Sequence, residues 1–319
     1  MTERQRRLLN LLAQAYIETG KPVPSGWLAG QLDVSPATVR YDLADLEAAG
    51  LVEKPHASAG RVPTRRGFRQ YALAQLPPQP LPPETLSRLA RVLAQSGSNW
   101  PQLTAQMAAR LSGYPAIVRL SPPKRAQVLE VHLSDLGGGR LLAVAVLEGG
   151  RLLEGIINFN LPAEENFLEQ AERWLHGPYP LAELSERRAP TPQLSQLASQ
   201  LVEAFGTPKS ERFVEGLGAM LNEPEARDLQ FIRRTLDLIE SIPGTPVIPA
   251  GGLDIRVGDI EGISLVQAGF RHTGRSGELT MIGPLRMHYR ETLSVAHSLS
   301  HALEGKQHEN KGSPLRPLS

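Results

Sequence analysis

Two groups of side chains near the N-terminus have the types and spacing expected of a surface that contacts nucleic acid. The first group lies within one short segment and consists of Ala37, Thr38, Arg40 and Tyr41. Side chains of these types hydrogen-bond to or pack against base edges in the major groove. The second group lies between residues 54 and 69, where five cations occur without any Asp or Glu: Lys54, Arg61, Arg65, Arg66 and Arg69. Such a run suits phosphate neutralisation, but it is also typical of an ordinary solvated basic surface.

The residues before these groups predict two helices. Thr2 is a favourable N-cap, and Gln5 three residues later completes a capping box. The apolar face of this first helix consists of Leu8, Leu11, Leu12 and Ala15. Gly20 ends the helix, and Ser25 is the expected N-cap of a short second helix. That second helix carries Trp27, Leu28 and Leu32.

A third predicted helix positions the first group of side chains. Ser35 is a favoured N-cap, Pro36 occupies the first helical position, and Gly50 follows the last turn. The residues at positions i, i+4 and i+7 that must face the core are Val39, Leu43 and Leu46. The opposite face therefore presents the first group, as the recognition helix of a helix-turn-helix does. A small helical bundle without any role in DNA binding has the same pattern.

The sequence after this helix favours DNA binding. Residues 51–53 predict a short strand, and residues 54–67 combine turn formers with cations, as a β-hairpin wing requires. Ser58 and Thr64 are candidates for neutral phosphate contacts, and His56 is either a turn residue or a contact. The predicted DNA-binding residues are Ser35, Thr38, Arg40, Tyr41, Lys54, His56, Ser58, Arg61, Thr64, Arg65, Arg66 and Arg69.

Short stretches distributed over most of the chain match a known pattern. They are residues 16–20 (YIETG), 22–23 (PV), 35–40 (SPATVR), 44–47 (ADLE), 50–51 (GL), 55–64 (PHASAGRVPT), 67–69 (GFR) and 283–289 (GPLRMHY). Together they resemble the HrcA family of heat-inducible transcription repressors. Several repressor families share the helical part, whereas the stretch 55–64 is specific to a much narrower range of families. This chain departs from the family pattern at Gly26, where Arg is usual, and at Tyr41, where Asn is usual.

The remaining three quarters of the chain alternate between strand and helix patterns. Five prolines between residues 77 and 83 predict a linker after a first domain at residues 1–76. Predicted helices cover residues 84–95, 101–111 and 289–303, and helical periodicity also extends from 163 to 242. Predicted strands cover residues 116–120, 127–133, 140–147, 152–159, 252–257, 263–270 and 278–282. The first four strands follow one another in sequence and predict an antiparallel meander.

The resemblance implies an α+β multidomain fold. It would consist of an N-terminal winged helix-turn-helix, a GAF-like α/β domain with an antiparallel sheet, and an inserted, mainly helical dimerisation domain. Placed on this sequence, the GAF-like domain covers residues 84–162 and 246–304, and the inserted domain covers residues 163–245. Residues 305–319 are polar and contain proline, which predicts a disordered tail.

The sequence contains no arrangement of residues that predicts an enzyme. His297 and His301 have a spacing that can hold a metal ion, but a third ligand is not near them in sequence. Gly216 and Gly218 lack the third glycine and the preceding strand of a dinucleotide site. Residues 137–139 form a predicted hairpin turn rather than a phosphate loop before a helix. We therefore expect no catalytic residue, cofactor or metal.

Composition indicates a protein of the cytoplasm. Hydrophobic residues make up 41% of the chain, and no apolar run approaches the roughly 18 residues needed to span a bilayer. The charged N-terminal segment lacks the features of a signal peptide. The chain has no cysteine, which excludes disulfides and thiolate metal sites. We expect a cytoplasmic protein without a membrane partner.

The resemblance also implies a function and partners. It implies a homodimer that binds an inverted-repeat operator in double-stranded DNA upstream of heat-shock chaperone operons. The GroE chaperonin would keep this repressor active, and heat stress would remove that support. Two alternatives remain open. One is a metabolite-responsive winged-helix repressor with a small-molecule site in the GAF-like domain, and the other is an enzyme with an accessory nucleic-acid module.

Overall fold

The computed structural model describes residues 1–56, 59–121, 127–148, 150, 152–160, 166–206, 210–242 and 247–305. The chain forms two compact units, one of Met1–Leu120 with Arg212–Ser319 and one of Ser121–Glu211. Within the described ranges, no helix has both the length and the hydrophobicity to cross a membrane. Ser58 and residues 306–319, for which the sequence predicted a DNA contact and a disordered tail, lie outside the described residues.

The N-terminal part of the first unit is a helix-turn-helix followed by a two-stranded wing. Its elements are α1 (Glu3–Thr19), α2 (Ser25–Leu32), α3 (Pro36–Ala48), β1 (Val52–Glu53), β2 (Val62–Pro63) and α4 (Arg65–Leu73). The predicted capping box of Thr2 and Gln5 is confirmed. The prediction for α2 is wrong at its start, because Pro24 is the N-cap and Ser25 is already helical, without a side-chain cap.

The first three helices enclose one apolar cluster with the start of the wing. Its buried members are Leu8, Leu9, Leu12, Val23, Leu28, Ala29, Val39, Leu43, Leu46, Leu51 and Val52. The predicted inner face of α3 is confirmed, because Val39, Leu43 and Leu46 are at most 3% exposed. Burying a leucine or valine side chain stabilises a fold by about 1.5–3 kcal/mol. This burial fixes the rotation of α3 and therefore which of its residues face solvent.

The chain continues through both units. Before the second unit come α5 (Pro83–Gln95), α6 (Trp100–Ser112) and β3 (Ala116–Leu120). The second unit contains β4 (Gln127–Gly137), β5 (Arg140–Leu147), β6 (Leu152–Asn158), α7 (Phe167–Leu175), β7 (Tyr179–Pro180) and α8 (Pro192–Phe205). The remaining elements are β8 (Glu211–Glu215), α9 (Leu217–Met220), α10 (Leu229–Ser241), β9 (Leu253–Ile260), β10 (Ile263–His272), β11 (Arg275–Pro284) and α11 (Tyr289–Leu303).

A five-stranded sheet of order β8-β3-β11-β10-β9 forms the centre of the first unit. The strands β9, β10 and β11 form consecutive antiparallel hairpins, and β11 pairs with β3 from Gly277 opposite Leu120 to Met281 opposite Ala116. One face packs against α5, α6 and α11 in a cluster that also contains Phe68 of α4. The other face packs against α10. The N-terminal helices and the sheet therefore share a hydrophobic core.

The predicted meander of four strands between residues 116 and 159 is confirmed for β4, β5 and β6 and wrong for β3. β3 pairs with β11, whereas β4, β5 and β6 belong to a separate sheet of order β6-β5-β4-β7. Every residue of β3 is buried, as expected for a strand covered on both faces, whereas β5 alternates between buried and half-buried residues. The two patterns belong to different sheets, and β3 is therefore not a sheet neighbour of β4, the next strand in sequence.

The second unit also differs from the predicted inserted domain. It covers Ser121–Glu211 rather than residues 163–245, and it contains a sheet of its own. The helices α7 and α8 pack on one face of that sheet, in a cluster that includes Val131, Ala143, Ile157, Ala171 and Leu201. The inserted unit is therefore a two-layer α/β structure rather than a mainly helical one.

A buried carboxylate lies within the five-stranded sheet. Glu278 on β11 is fully buried, and its side chain pairs with that of Arg119 on β3. Gln267 Nε2 donates to Glu278 Oε1 at 2.6 Å, and the Thr280 hydroxyl donates to it at 3.1 Å. The backbone N–H groups of residues 247 and 248 donate to Oε2 at 2.8 and 3.1 Å. Five donors therefore satisfy this carboxylate.

Candidate nucleic-acid interface

The helix α3 presents a small group of side chains to solvent. Arg40 and Tyr41 are exposed, and Tyr41 is exposed over 77% of its surface. Ser35 caps the helix by accepting a hydrogen bond from the Thr38 backbone N–H at 3.1 Å, and the two hydroxyls lie 2.8 Å apart. The Ser35 side chain is therefore part of the helix start, whereas Arg40 and Tyr41 are available to a ligand.

An ion pair that the sequence analysis missed removes a negative charge from the surface of α3. Asp42 is only 4% exposed, and its carboxylate accepts hydrogen bonds from Arg4 Nε at 2.6 Å and from Arg4 Nη2 at 3.0 Å. This hydrogen-bonded pairing raises the pKa of Arg4. The bidentate contact ties α1 to α3. Because Asp42 is neutralised, it opposes the approach of DNA less than an exposed carboxylate would.

The wing is held by contacts that its sequence did not reveal. Arg61 Nη2 lies 2.8 Å from Glu47 Oε2, and the Arg61 backbone exchanges two hydrogen bonds with Val23. Gly60 packs so closely that an added Cβ would overlap the carbonyl oxygen of Val23. Gly60 and Arg61, which belong to the family-specific stretch 55–64, therefore attach the wing to the helices.

The predicted wing loop is too long, because α4 begins at Arg65. Thr64 caps this helix by accepting a hydrogen bond from the Gly67 N–H at 3.1 Å, and its hydroxyl donates to the Gly50 carbonyl at 2.7 Å. Arg65 turns toward the five-stranded sheet, where Nε donates to Val257 O at 3.0 Å and Nη2 pairs with Asp259 at 2.9 Å. Arg65, Arg66 and Arg69 are therefore helical residues, and Arg65 contacts the sheet.

These contacts divide the predicted site residues into two sets. Side chains engaged in contacts within the protein are Ser35, Thr38, Arg61, Thr64 and Arg65. Exposed residues outside that set are Arg40, Tyr41, Lys54, His56, Arg66 and Arg69, and Ser35 and Arg65 are exposed as well. A further exposed residue, Trp27 on α2, was assigned from the sequence only to the apolar residues of that helix, yet it is 45% exposed. Its neighbour Leu28 takes the buried position.

The stretch 283–289 connects the helix-turn-helix to the rest of the first unit. Arg286 pairs with Glu225 at 2.7 Å and Glu223 at 2.9 Å, and its Nη1 donates to the carbonyl of Ile17 at the end of α1. Burial raises the pKa of Glu223, and the charge of Arg286 opposes that shift. A cation at a helix C-terminus is favourable because it meets the negative end of the helix dipole. Arg286 therefore anchors α1.

The two histidines of α11 that have the sequence spacing of metal ligands lie close to each other. The ring centroids of His297 and His301 are 4.2 Å apart. In the described parts of the chain, no group of three or more His, Cys, Asp or Glu side chains is placed to hold a metal ion. The arrangement that remains is a surface of exposed cations and a helix with an outward Arg and Tyr.

Comparisons with known proteins agree with this arrangement. A family model described as the HrcA protein C terminal domain matches residues 98–293, and a DeoR-like helix-turn-helix domain matches residues 4–64. The heat-inducible transcription repressor HrcA of Anaeromyxobacter sp. (strain K) is 31% identical, over 95% of this chain and 96% of that protein. The protein of the same name from Moorella thermoacetica is 30% identical, over 95% and 97%.

A solved structure shares the fold. It is the crystal structure of a hypothetical protein with a TM-score of 0.57 and 22% sequence identity, and the match covers 96% of this chain and 98% of that one.

The contacts of the wing predict different roles for two of its cations. Arg61→Ala should lower the free energy of unfolding by about 1 kcal/mol, because it removes the pair with Glu47. It should leave the salt dependence of DNA binding unchanged. Lys54→Ala removes the same charge from an exposed position, and it should flatten the slope of log K against log salt by about one. Urea unfolding and anisotropy of a labelled duplex at several salt concentrations measure both effects. An equal loss of slope in the two variants would show that Arg61 leaves Glu47 to contact phosphate.

Proposed function

The chain belongs to the HrcA family, and on that premise we propose that it is a heat-inducible transcription repressor that binds its operator through α3 and the wing. The observation that carries this proposal is the outward pair of Arg40 and Tyr41 on a helix whose opposite face is locked into the core. A helix held this way inserts into the major groove without having to reorganise.

The exposed side chains then take distinct roles. Arg40 is suited to bind the O6 and N7 atoms of guanine, and Tyr41 lies beside it for contact with a base edge or a thymine methyl. Lys54, Arg66 and Arg69 supply charge to phosphates, and His56 extends the same surface. Ser35 and Thr38 lie at the N-terminus of α3, where the helix dipole favours a phosphate. Arg61, Thr64 and Arg65 support this surface through their contacts with Glu47, Gly50 and Asp259.

Two exposed aliphatic side chains on one face of the second unit, on either side of Glu154, support a homodimer. On β6, Leu152 is 64% exposed and Ile156 is 60% exposed. These residues lie opposite Val146 and Leu142 of β5, on the face of the sheet that α7 and α8 leave uncovered. Apolar patches of this kind mark association surfaces. A two-fold dimer would place two copies of α3 on an inverted repeat.

The connectivity of the first unit is consistent with dependence on a chaperonin. The sheet pairs β3 with β11, although the second unit and the five elements β8, α9, α10, β9 and β10 separate them in sequence. Pairings so distant in sequence form slowly and leave apolar surface exposed meanwhile. We infer that the GroE chaperonin assists this step in the cytoplasm. Heat would divert the chaperonin to other clients and lower the amount of active repressor. The chaperone operons, which have the operator upstream, would then be transcribed.

The five-stranded sheet would correspond to the GAF-like domain of this family.

Operator recognition is tested by Arg40→Ala. The substitution should reduce the preference for an inverted-repeat operator over an unrelated duplex by about 1–3 kcal/mol, because it removes a base contact. Arg66→Ala is the matched control, since it removes the same charge but should weaken binding to both duplexes alike. Dissociation constants for both duplexes at one salt concentration measure this difference. An unchanged preference in the Arg40 variant contradicts its role in base readout.

The dimer is tested by Ile156→Asp. A charge in place of this exposed aliphatic side chain should convert the protein to a monomer and weaken operator binding by about a hundred-fold or more, because the second half-site is no longer linked to the first. Gln170→Asp adds a charge at an exposed position of α7, which covers the opposite face of the sheet, and should preserve the dimer. Sedimentation and gel-shift assays report both properties. A dimeric Ile156→Asp variant would place the dimer surface elsewhere.

Chaperonin dependence is tested by refolding. Heat-treated protein that recovers with the complete chaperonin and ATP should regain operator binding, whereas protein that recovers alone should regain less, because the distant strand pairing competes with aggregation. Gel-shift titrations of the two samples measure the active fraction. Equal recovery with and without chaperonin would refute this mechanism while leaving operator recognition intact.

A further inference from the structure

A cavity of about 350 Å³ lies between α10 and the five-stranded sheet. Its volume falls within the range of about 300–1,000 Å³ that is typical of small-molecule sites. Most of its wall is aliphatic and comes from α10, β9 and β10, with Leu238, Ile260 and Leu265 among the lining residues. Arg119 and Gln267 line its inner end, beside the buried carboxylate of Glu278. The cavity therefore combines an aliphatic wall with the polar groups of Arg119 and Gln267, and Ser241, Arg256 and Asp259 also line it.

Gln267 provides the polar group that points to a ligand. The side chain is only 4% exposed, and its Nε2 donates to Glu278 and to Thr280. Because a carboxylate accepts and cannot donate, these bonds fix the orientation of the amide and leave Oε1 on the other side. Among the described residues, no donor lies within hydrogen-bond distance of this buried Oε1. A buried acceptor without a donor costs about 1–3 kcal/mol, and native structures usually supply one.

The charged rim of the cavity connects it to the DNA-binding helices. Asp259 lines the cavity and also pairs with Arg65 of α4. Arg65 further donates to the Val257 carbonyl, and its side chain lies against Gly258, where an added Cβ would come within 2.8 Å of it. Gly258 has a φ of +69°, so β9 needs a glycine both for its own backbone and for the approach of Arg65. Residues at the end of β9 therefore line the cavity and also contact Arg65 of α4.

We propose that this cavity binds a small molecule with an apolar body and one N–H or O–H group that donates to Gln267 Oε1. Occupancy shifts the end of β9, disturbs the contact between Asp259 and Arg65, and lowers operator affinity. The effect on DNA rests on the proposed function as a repressor, whereas binding to the cavity does not. A ligand that prefers one arrangement of β9 changes DNA affinity only by its difference in affinity for the two arrangements.

The binding step is tested with three alcohols and their donor-free isosteres. Phenol, benzyl alcohol and cyclohexanol are compared with toluene, ethylbenzene and methylcyclohexane by ligand-detected NMR on the full-length protein without DNA. At least one alcohol should bind about ten-fold more tightly than its isostere, because only the alcohol satisfies the buried acceptor. If every alcohol binds no better than its isostere, or none binds, the proposal is overturned.

The location is tested by a matched pair of substitutions on α10. Leu238→Phe fills the cavity and should abolish binding of the preferred alcohol. Leu236→Phe makes the same change at an exposed position outside the cavity and should preserve binding. Unfolding midpoints of both variants show whether the fold is retained. Should Leu238→Phe unfold, Ile260→Phe fills the cavity from β9 instead and provides the same comparison. Equal binding to the two variants overturns the assignment to this cavity.

The coupling is tested last, by operator affinity with and without the preferred alcohol. Saturation should raise the Kd for the operator in the wild-type and Leu236→Phe proteins and leave that of Leu238→Phe unchanged. An unchanged Kd in the wild-type protein, with binding established, overturns the coupling but not the site. A protein that binds no operator in either state refutes the proposed function, and the NMR measurement still decides whether the cavity binds a ligand.

Discussion

The carboxylate of Glu278 is the interaction on which the first unit depends. Removing a carboxylate from water costs several kcal/mol, and this cost is offset only when good hydrogen-bond geometry satisfies the charge. Its donors come from β3, β10 and β11 and from the backbone of residues 247 and 248. A shift in register of β3 or β10 would remove Arg119 or Gln267 from the donors of this buried charge. The single carboxylate therefore selects one alignment of strands that are far apart in sequence.

The same unit contains the DNA-binding helices, and two arginines connect them to the sheet. Arg65 reaches from α4 to β9, and Arg286 reaches from the turn before α11 to the end of α1. Phe68 and Tyr71 of α4 are buried in the core that α11 and the sheet also form. The helix-turn-helix is therefore packed on the sheet rather than tethered by a flexible linker. Changes in the sheet can reach the DNA-binding surface through these contacts.

Local sequence signals predicted the DNA-binding part well, and distant contacts explain what they missed. The caps at Thr2 and Ser35 and the spacing of Val39, Leu43 and Leu46 depend on neighbours within one or two turns, so the sequence contains them. The contacts of Arg61 with Glu47 and of Thr64 with Gly50 were missed, because sequence alone does not show that these residues meet. The pairing of β3 with β11 was missed for the same reason. The available signal was the nearly continuous apolar run of β3, interrupted only by Arg119, since a strand with one solvent face would alternate.

The position of the second unit within the first has a consequence for synthesis of the chain. β3 ends at Leu120, and its partner β11 begins at Arg275, about 155 residues later. At a translation rate of about 5–20 residues per second, the ribosome delivers β11 roughly 10–30 s after β3. During that interval α1 to α4 have emerged, but the sheet against which Phe68 and Tyr71 pack is incomplete. A nascent chain therefore carries its DNA-binding helices before it has the platform that holds them, and the finished unit forms only once nearly the whole polypeptide has left the ribosome.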